Sequence, residues 1–301
     1  MTPATGPDLV CFGYLAYAQV TAVAAYPAAN TGAHVVQVFP SLAGDAPITA
    51  LTARKLGSTC HLISNRVSLD PAGQTVLDML DSATVTHQAV PSQAAGLGTP
   101  QLTIVTDDAG TRTWFAWLGN AVDQLTTADL SALGTPRLAY IDCYRIIDGP
   151  AAAAITASEV PLLLNLGGDL LSDTIAEAAS RRHIAFVQTN LDERDAGNAQ
   201  ALAIELHERM RPETVVVTLG RLGALGYTAT GPFWAEAPRV PVRHTHGAGA
   251  AFSGGLAHAY LVGATARQAV HTACLTGTRH CTTTELPHQR TQPDLTMEAL
   301  T

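Results

Sequence analysis

Arg243-His244-Thr245-His246-Gly247-Ala248-Gly249-Ala250-Ala251-Phe252-Ser253-Gly254-Gly255 passes from a polar, strand-like run into an apolar segment with the composition of a helix beginning near Ala250. Gly247 and Gly249 remove side chains where backbone must come close to a ligand, and the N–H groups of a helix's first turn have no partner inside the helix. Together they make a place for an anion such as a phosphate. A bare G-A-G is also what a tight strand-to-helix turn needs for packing alone, so its reading depends on the rest of the chain.

The 301 residues are 47% hydrophobic, enough for a sizeable core. Only 14% are charged and the formal net charge is −8, so there is no basic face for a nucleic-acid backbone and an anionic ligand must be met locally. The cysteines Cys11, Cys60, Cys143, Cys274 and Cys281 form no C-x-x-C pair, which points to reduced thiols, no zinc knuckle and a cytoplasmic location. Met1 to Pro7 lacks the basic and apolar regions of a leader, and no run of about 18 apolar residues suggests a membrane span. Histidines at H-E-x-x-H spacing, a G-x-S-x-G elbow and a G-x-G-x-x-G dinucleotide turn are all missing, which removes the support for metallohydrolase, serine hydrolase and dehydrogenase readings.

Residues 8–13 read as a short buried strand ending at Gly13. Residues 18–25 and 33–39 are β-rich and suit a small separate sheet, which 102–106 and 112–117 would join as a hairpin through Asp107-Asp108-Ala109-Gly110-Thr111. A helix is predicted over 47–56, a strand over 59–64, and a second helix from Pro71 with Asp70 as its N-cap. From residue 138 strands and helices alternate: strands over 138–142, 161–165, 184–189 and 214–219, with helices within 149–158, 172–182 and 196–210. A short hairpin is expected over 231–238. This alternation predicts an α/β fold built on a doubly wound, mainly parallel sheet, with sites at the strand carboxyl ends.

Read on to Ala273 and Gly277, the opening segment resembles the C-terminal signature of the ribokinase-like (pfkB-type) family of sugar and nucleoside kinases, D-T-x-G-A-G-D-A-F-x-G-G. Thr218, Gly220 and Gly223 match its T-x-G-x-x-G, Asn190-Leu191-Asp192-Glu193 its N-x-x-E, Asp70 to Gly73 its D-x-x-G, and Gly110 with Arg112 its lid hairpin. The resemblance implies one ribokinase-like domain over 1–301, with helices on both sheet faces and a β lid from about 14–40 and 100–118. It also implies ATP and Mg²⁺, with Gly247, Ala248 and Gly249 holding the phosphoryl group in flight and Thr218, Gly220 and Gly223 beside the nucleotide. Asn190 and Glu193 would organise the metal, Glu193 being the metal-side carboxylate. The implied partner is a small hydroxyl-bearing molecule, and homodimerisation through the lid is expected.

The signature is altered where its chemistry lies. The family's proton-accepting Asp is Ala250 here, and its first Asp is His244. The Asp expected near position 18 is Ala18, and G-G-x-x-x-N becomes Ala43-Gly44-Asp45-Ala46-Pro47-Ile48, without its Asn. General-base help is worth about 10²–10⁴-fold, so a kinase with Ala250 is slow unless another group serves. His246, or His244, flanks the loop and a neutral imidazole is a candidate acceptor. Three readings stay open: a sugar or nucleoside kinase with a substituted base, an enzyme that uses the anion hole for another reaction, and a non-catalytic nucleotide- or metabolite-binding protein. Trp114, Phe115 and Trp117 either cover a ligand or partner or pack a thin sheet.

Overall fold

The computed structural model describes residues 6–283 apart from 93–97 and 109, so Met1 to Thr5 and Ala109 of the expected hairpin turn lie outside the described residues. The chain opens with β1 (Leu9–Phe12), β2 (Ala16–Val23), β3 (Val35–Ala43), α1 (Asp45–Lys55), β4 (Cys60–Ile63), β5 (Val67–Ser68) and α2 (Pro71–Ser82). There follow β6 (Thr86–His87), β7 (Pro91–Ser92), β8 (Gln101–Thr106), β9 (Arg112–Trp117), α3 (Ala121–Thr126), β10 (Leu138–Asp142) and α4 (Asp148–Ala157). The last third holds β11 (Leu162–Asn165), α5 (Asp173–Ala179), β12 (Ile184–Asn190), α6 (Ala199–Met210), β13 (Thr214–Thr218), β14 (Ala224–Thr228), β15 (Gly231–Ala235), α7 (Ala248–Leu261) and α8 (Ala266–His280).

Nine strands form one sheet in the order β15-β14-β13-β12-β11-β10-β1-β4-β6, all running the same way except β14, which is antiparallel to both its neighbours. β1, β10 and β11 are apolar almost throughout because both faces are covered, and every residue in them is buried. Successive side chains go to opposite faces: Leu9 and Cys11 pack with α1, α2, α7 and α8, and Val10 and Phe12 pack with α3, α4, α5 and α6. From β1 the chain builds outward to β4 on one side and, from β10 on, to the other. The order therefore reverses between β1 and β10, and the carboxyl ends of those strands border the crevice where such sheets bind ligands.

The stretches expected to share a small sheet do so, in the order β3-β2-β8-β9, with β2 and β8 parallel and the outer pairs antiparallel. Ala16, Ala18, Val20, Leu102 and Ile104 bury one face of it under Tyr14, Phe39 and Leu118. β9 at its edge is exposed along its whole length, including Trp114, Phe115 and Trp117.

Several expected boundaries move. A hairpin forms, but earlier than expected over 231–238: β14 pairs with β15 across a turn at Ala229-Thr230 that leads into Gly231, at φ +108°. α1 starts at Asp45, since Gly44 at φ +95° ends β3 there, and α7 starts at Ala248 behind the left-handed Gly247. A 3₁₀ turn over Glu193–Asn198 precedes α6, and α3, β5 and β7 were not anticipated.

Candidate active site at the strand carboxyl ends

Gly247 caps α7 at φ +73°, a conformation that costs glycine little, and a Cβ there would press on Ile48 and His280 at 3.1 and 3.0 Å. Ala251 N–H closes the first helical turn onto Gly247 O at 2.8 Å, and Ala248 N–H donates to Thr245 O at 3.3 Å. The N–H groups of Gly249 and Ala250 have no acceptor among the described residues, and a side chain at Gly249 would meet nothing within 4 Å. Two outward amides at a helix terminus above open space suit an oxyanion.

α1 lies beside α7 and runs in the same direction. Ile48 meets Gly247, Thr49 Oγ1 donates to Ala250 O at 3.1 Å, and Thr52 fills the gap left by Gly254, where a Cβ would stand 2.6 Å from its own. Both helices therefore open at one rim, and the Ala250 methyl is buried between them.

At the same rim, below β1, β10 and β11, lies a polar network. Asp142, the last residue of β10, accepts from Ala46 N–H at 3.0 Å through Oδ2 and from the Tyr140 hydroxyl at 2.6 Å through Oδ1. Asn165, the last residue of β11, donates through Nδ2 to Tyr140 Oη at 2.8 Å and to Asp45 Oδ2 at 3.1 Å. The Tyr144 hydroxyl donates to the same Asp45 oxygen. Gly13 follows β1, and any Cβ there would collide with the Asp142 carboxylate. Burial, and after it the charge of Asp45, push the Asp142 carboxyl well above the usual carboxylate range; burial likewise raises the Tyr140 and Tyr144 hydroxyls.

Asn190, Glu193, Thr218, Gly220 and Gly223 come together at the ends of β12 and β13, where Asn190 and Thr218 are in register. Thr218 Oγ1 donates to Thr189 O at 3.3 Å. Glu193 Oε1 accepts from Arg221 N–H at 2.9 Å while its other oxygen pairs with the Arg221 guanidinium, beside the left-handed Gly220. Glu193 is thus engaged, and among the described residues no three His, Cys, Asp or Glu side chains converge as a metal cage. A Mg²⁺ ion fits here only in its common mode, on phosphate oxygens and water. Gln188 of β12 links this group to α7, with Nε2 3.4 Å from Gly249 O and Oε1 accepting from Ser253 at 2.8 Å.

His246 is directed elsewhere. Its Nε2 lies 2.8 Å from Leu42 O of β3, and burial lowers its pKa to about 3. His280 Nε2 lies 2.8 Å from His246 O, its pKa lowered by burial to about 4, and the ring of His244 stands 5.2 Å from that of His280. The three imidazoles pack where the small sheet meets the loop ahead of α7. Arg112 strengthens that clasp through Nη1 to Thr245 O at 2.9 Å, with Thr245 Oγ1 donating to Gly110 O at 3.3 Å.

Residues 7–287 match the pfkB family carbohydrate kinase family. The chain belongs to the pfkB family. Its fold is that of solved ribokinases and nucleoside kinases. A ribokinase of Agrobacterium tumefaciens, described as putative, is 19% identical with a TM-score of 0.76, covering 94% of each chain. A ribokinase of Arabidopsis thaliana, solved with ribose and ATP, is 15% identical with a TM-score of 0.69, covering 94% of this chain and 95% of that one. A nucleoside kinase of Burkholderia thailandensis, solved with inosine, is 17% identical with a TM-score of 0.72, covering 93% and 91%. No curated protein is a significant match by sequence.

Within this pfkB chain the sequence reading passed over Asp45, Asp142, Tyr140, Tyr144 and Asn165. A usable signal was present, since Asp142 and Asn165 are polar residues ending otherwise apolar strands. Asp45 offered none, because it meets Tyr144 and Asn165 across separations of 99 and 120 residues. Among the described residues no helix is long and apolar enough to cross a membrane.

Proposed function

We propose that this pfkB-family chain transfers the terminal phosphoryl group of ATP to a hydroxyl of a small sugar- or nucleoside-like molecule in the cytoplasm. The observation that carries the reading is the pair of unpaired N–H groups at Gly249 and Ala250, at the rim where α7 opens beside the strand-order reversal. Along the strand ends, Asn190, Thr218, Gly220 and Gly223 line the nucleotide side and the Asp45–Asp142 network lines the acceptor side. The phosphoryl group sits between them at Gly247 to Ala250. Charge neutralisation and positioning dominate such transfers. Mg²⁺ bound to the nucleotide would supply counter-charge, with Glu193 on its water shell only after Arg221 releases it. His246 serves the clasp rather than the chemistry, since its Nε2 is spent on Leu42 O. The exposed edge and aromatic surface of the small sheet suit pairing with a second copy.

ADP release measured against a panel of sugars and nucleosides tests the activity. We expect acceptor-dependent turnover above the ATP-only background. A second reading, a binding protein without transfer, draws on the buried methyl of Ala250 and on two carboxylates at a phosphate-binding rim. It gains if nucleotide binds and no acceptor is turned over.

A further inference from the structure

We infer that Asp45, the first residue of α1, is the proton acceptor that replaces the missing carboxylate at position 250. The inference rests on the phosphotransfer reading above. Three contacts fix where Asp45 stands: Ile48 against Gly247, Thr49 on Ala250 O, and Thr52 against Gly254. They set α1 and α7 side by side with both N-termini at the rim. Asp45 is one turn ahead of Thr49 on the same face of α1, about 6 Å further toward that rim. It therefore reaches the mouth of α7, where the Gly249 and Ala250 amides are unpaired, from the neighbouring helix instead of from α7 itself.

Its surroundings suit the role. The Tyr144 hydroxyl and the Asn165 amide donate to Oδ2, which fixes the carboxylate, while Oδ1 has no hydrogen-bond partner among the described residues. Asp45 is half-buried, so that oxygen is reachable. Four neighbouring ionisable groups are engaged elsewhere. Both oxygens of Asp142 hold donors and its carboxyl is wholly buried. Tyr140 and Tyr144 donate to these carboxylates, and His246 is turned to β3.

In the step this implies, the acceptor's hydroxyl proton passes to Asp45 Oδ1 as the hydroxyl oxygen bonds to the terminal phosphorus of ATP. The bond from that phosphorus to the bridging oxygen breaks, and ADP leaves with the bond's electron pair. A carboxylate at this rim also repels the terminal phosphate in the ground state, so removing its charge is expected to spare or tighten nucleotide binding while slowing transfer.

The test compares wild type, Asp45→Asn, Asp45→Glu and Ala250→Asp. Acceptor-dependent ADP release is measured for each, together with calorimetric binding of a non-hydrolysable ATP analogue and thermal unfolding. We expect Asp45→Asn to lose about 10²–10⁴-fold in kcat, to bind the analogue at least as tightly as wild type, and to be partly restored in Asp45→Glu. Ala250→Asp should gain nothing. Asp45→Asn folded and within tenfold of wild-type kcat overturns the inference and leaves the phosphotransfer reading standing. So does a silent wild type beside an active Ala250→Asp, which needs no folded Asp45→Asn. Silence from all four proteins overturns the phosphotransfer reading, and the inference with it.

Discussion

His246 and His280 are held neutral where the small sheet meets the loop ahead of α7, and that has a thermodynamic consequence. Burial lowers their pKa values from 6.5 to about 3 and about 4, so between those limits the unfolded chain binds more protons than the folded one. Their contribution to stability is complete above pH 6.5 and is lost as the pH drops toward 4, by up to about 1.4 kcal/mol per pH unit for each histidine. Urea unfolding at pH 7, 6 and 5 should show this slope, and His280→Gln should remove roughly half of the part due to the pair. An unchanged slope in the variant would mean that the pair is not its source. Single-residue reading of the site was uneven for a related reason. Gly247, Gly249 and Ala250 stood out because they fall within one four-residue run, whereas His246 next to them gave no sign that its ring faces Leu42. Side-chain direction is a tertiary property.

Among the elements, α2 shows sequence and structure agreeing in mechanism. Asp70 was legible as an N-cap ahead of Pro71, and its Oδ1 accepts from Gly73 N–H at 2.7 Å. It does more than the sequence revealed, because Thr99 N–H and Oγ1 also donate to it, at 3.0 and 2.7 Å, tying the chain before β8 to the helix start. Asp70→Ala should cost about 1–2 kcal/mol, the upper range for a lost cap, read as a lower urea midpoint. A loss within 0.5 kcal/mol, the size of an ordinary surface change, would contradict the shared role. The β14–β15 hairpin shows the opposite case. Residues 231–238 were read as the whole hairpin, but they supply only its second strand, because the turn falls at Ala229-Thr230 ahead of Gly231, whose positive φ no local periodicity reports. The parallel order of the sheet was legible because fully buried strands read as unbroken apolar runs and helices intervene between them.

For the whole molecule, the small sheet leaves β9 at one edge and the valines Val35, Val36 and Val38 of β3 at the other exposed, apolar surface that a second copy can cover. Sedimentation at micromolar concentration should therefore give a dimer, weakened by Phe115→Glu; a monomer throughout would remove that expectation. Whether α7 opens as a phosphate site in this pfkB fold is measured directly by calorimetric titration of ATP, with and without Mg²⁺, into wild type and Gly249→Val. Gly249 is helical and its Cβ position is empty, so the valine leaves the fold intact and stands where the phosphate would lie. Wild type should bind ATP saturably and the variant at least tenfold more weakly, about 1.4 kcal/mol, at unchanged thermal stability. No heat from wild type at millimolar ATP, or equal binding by both proteins, would contradict it.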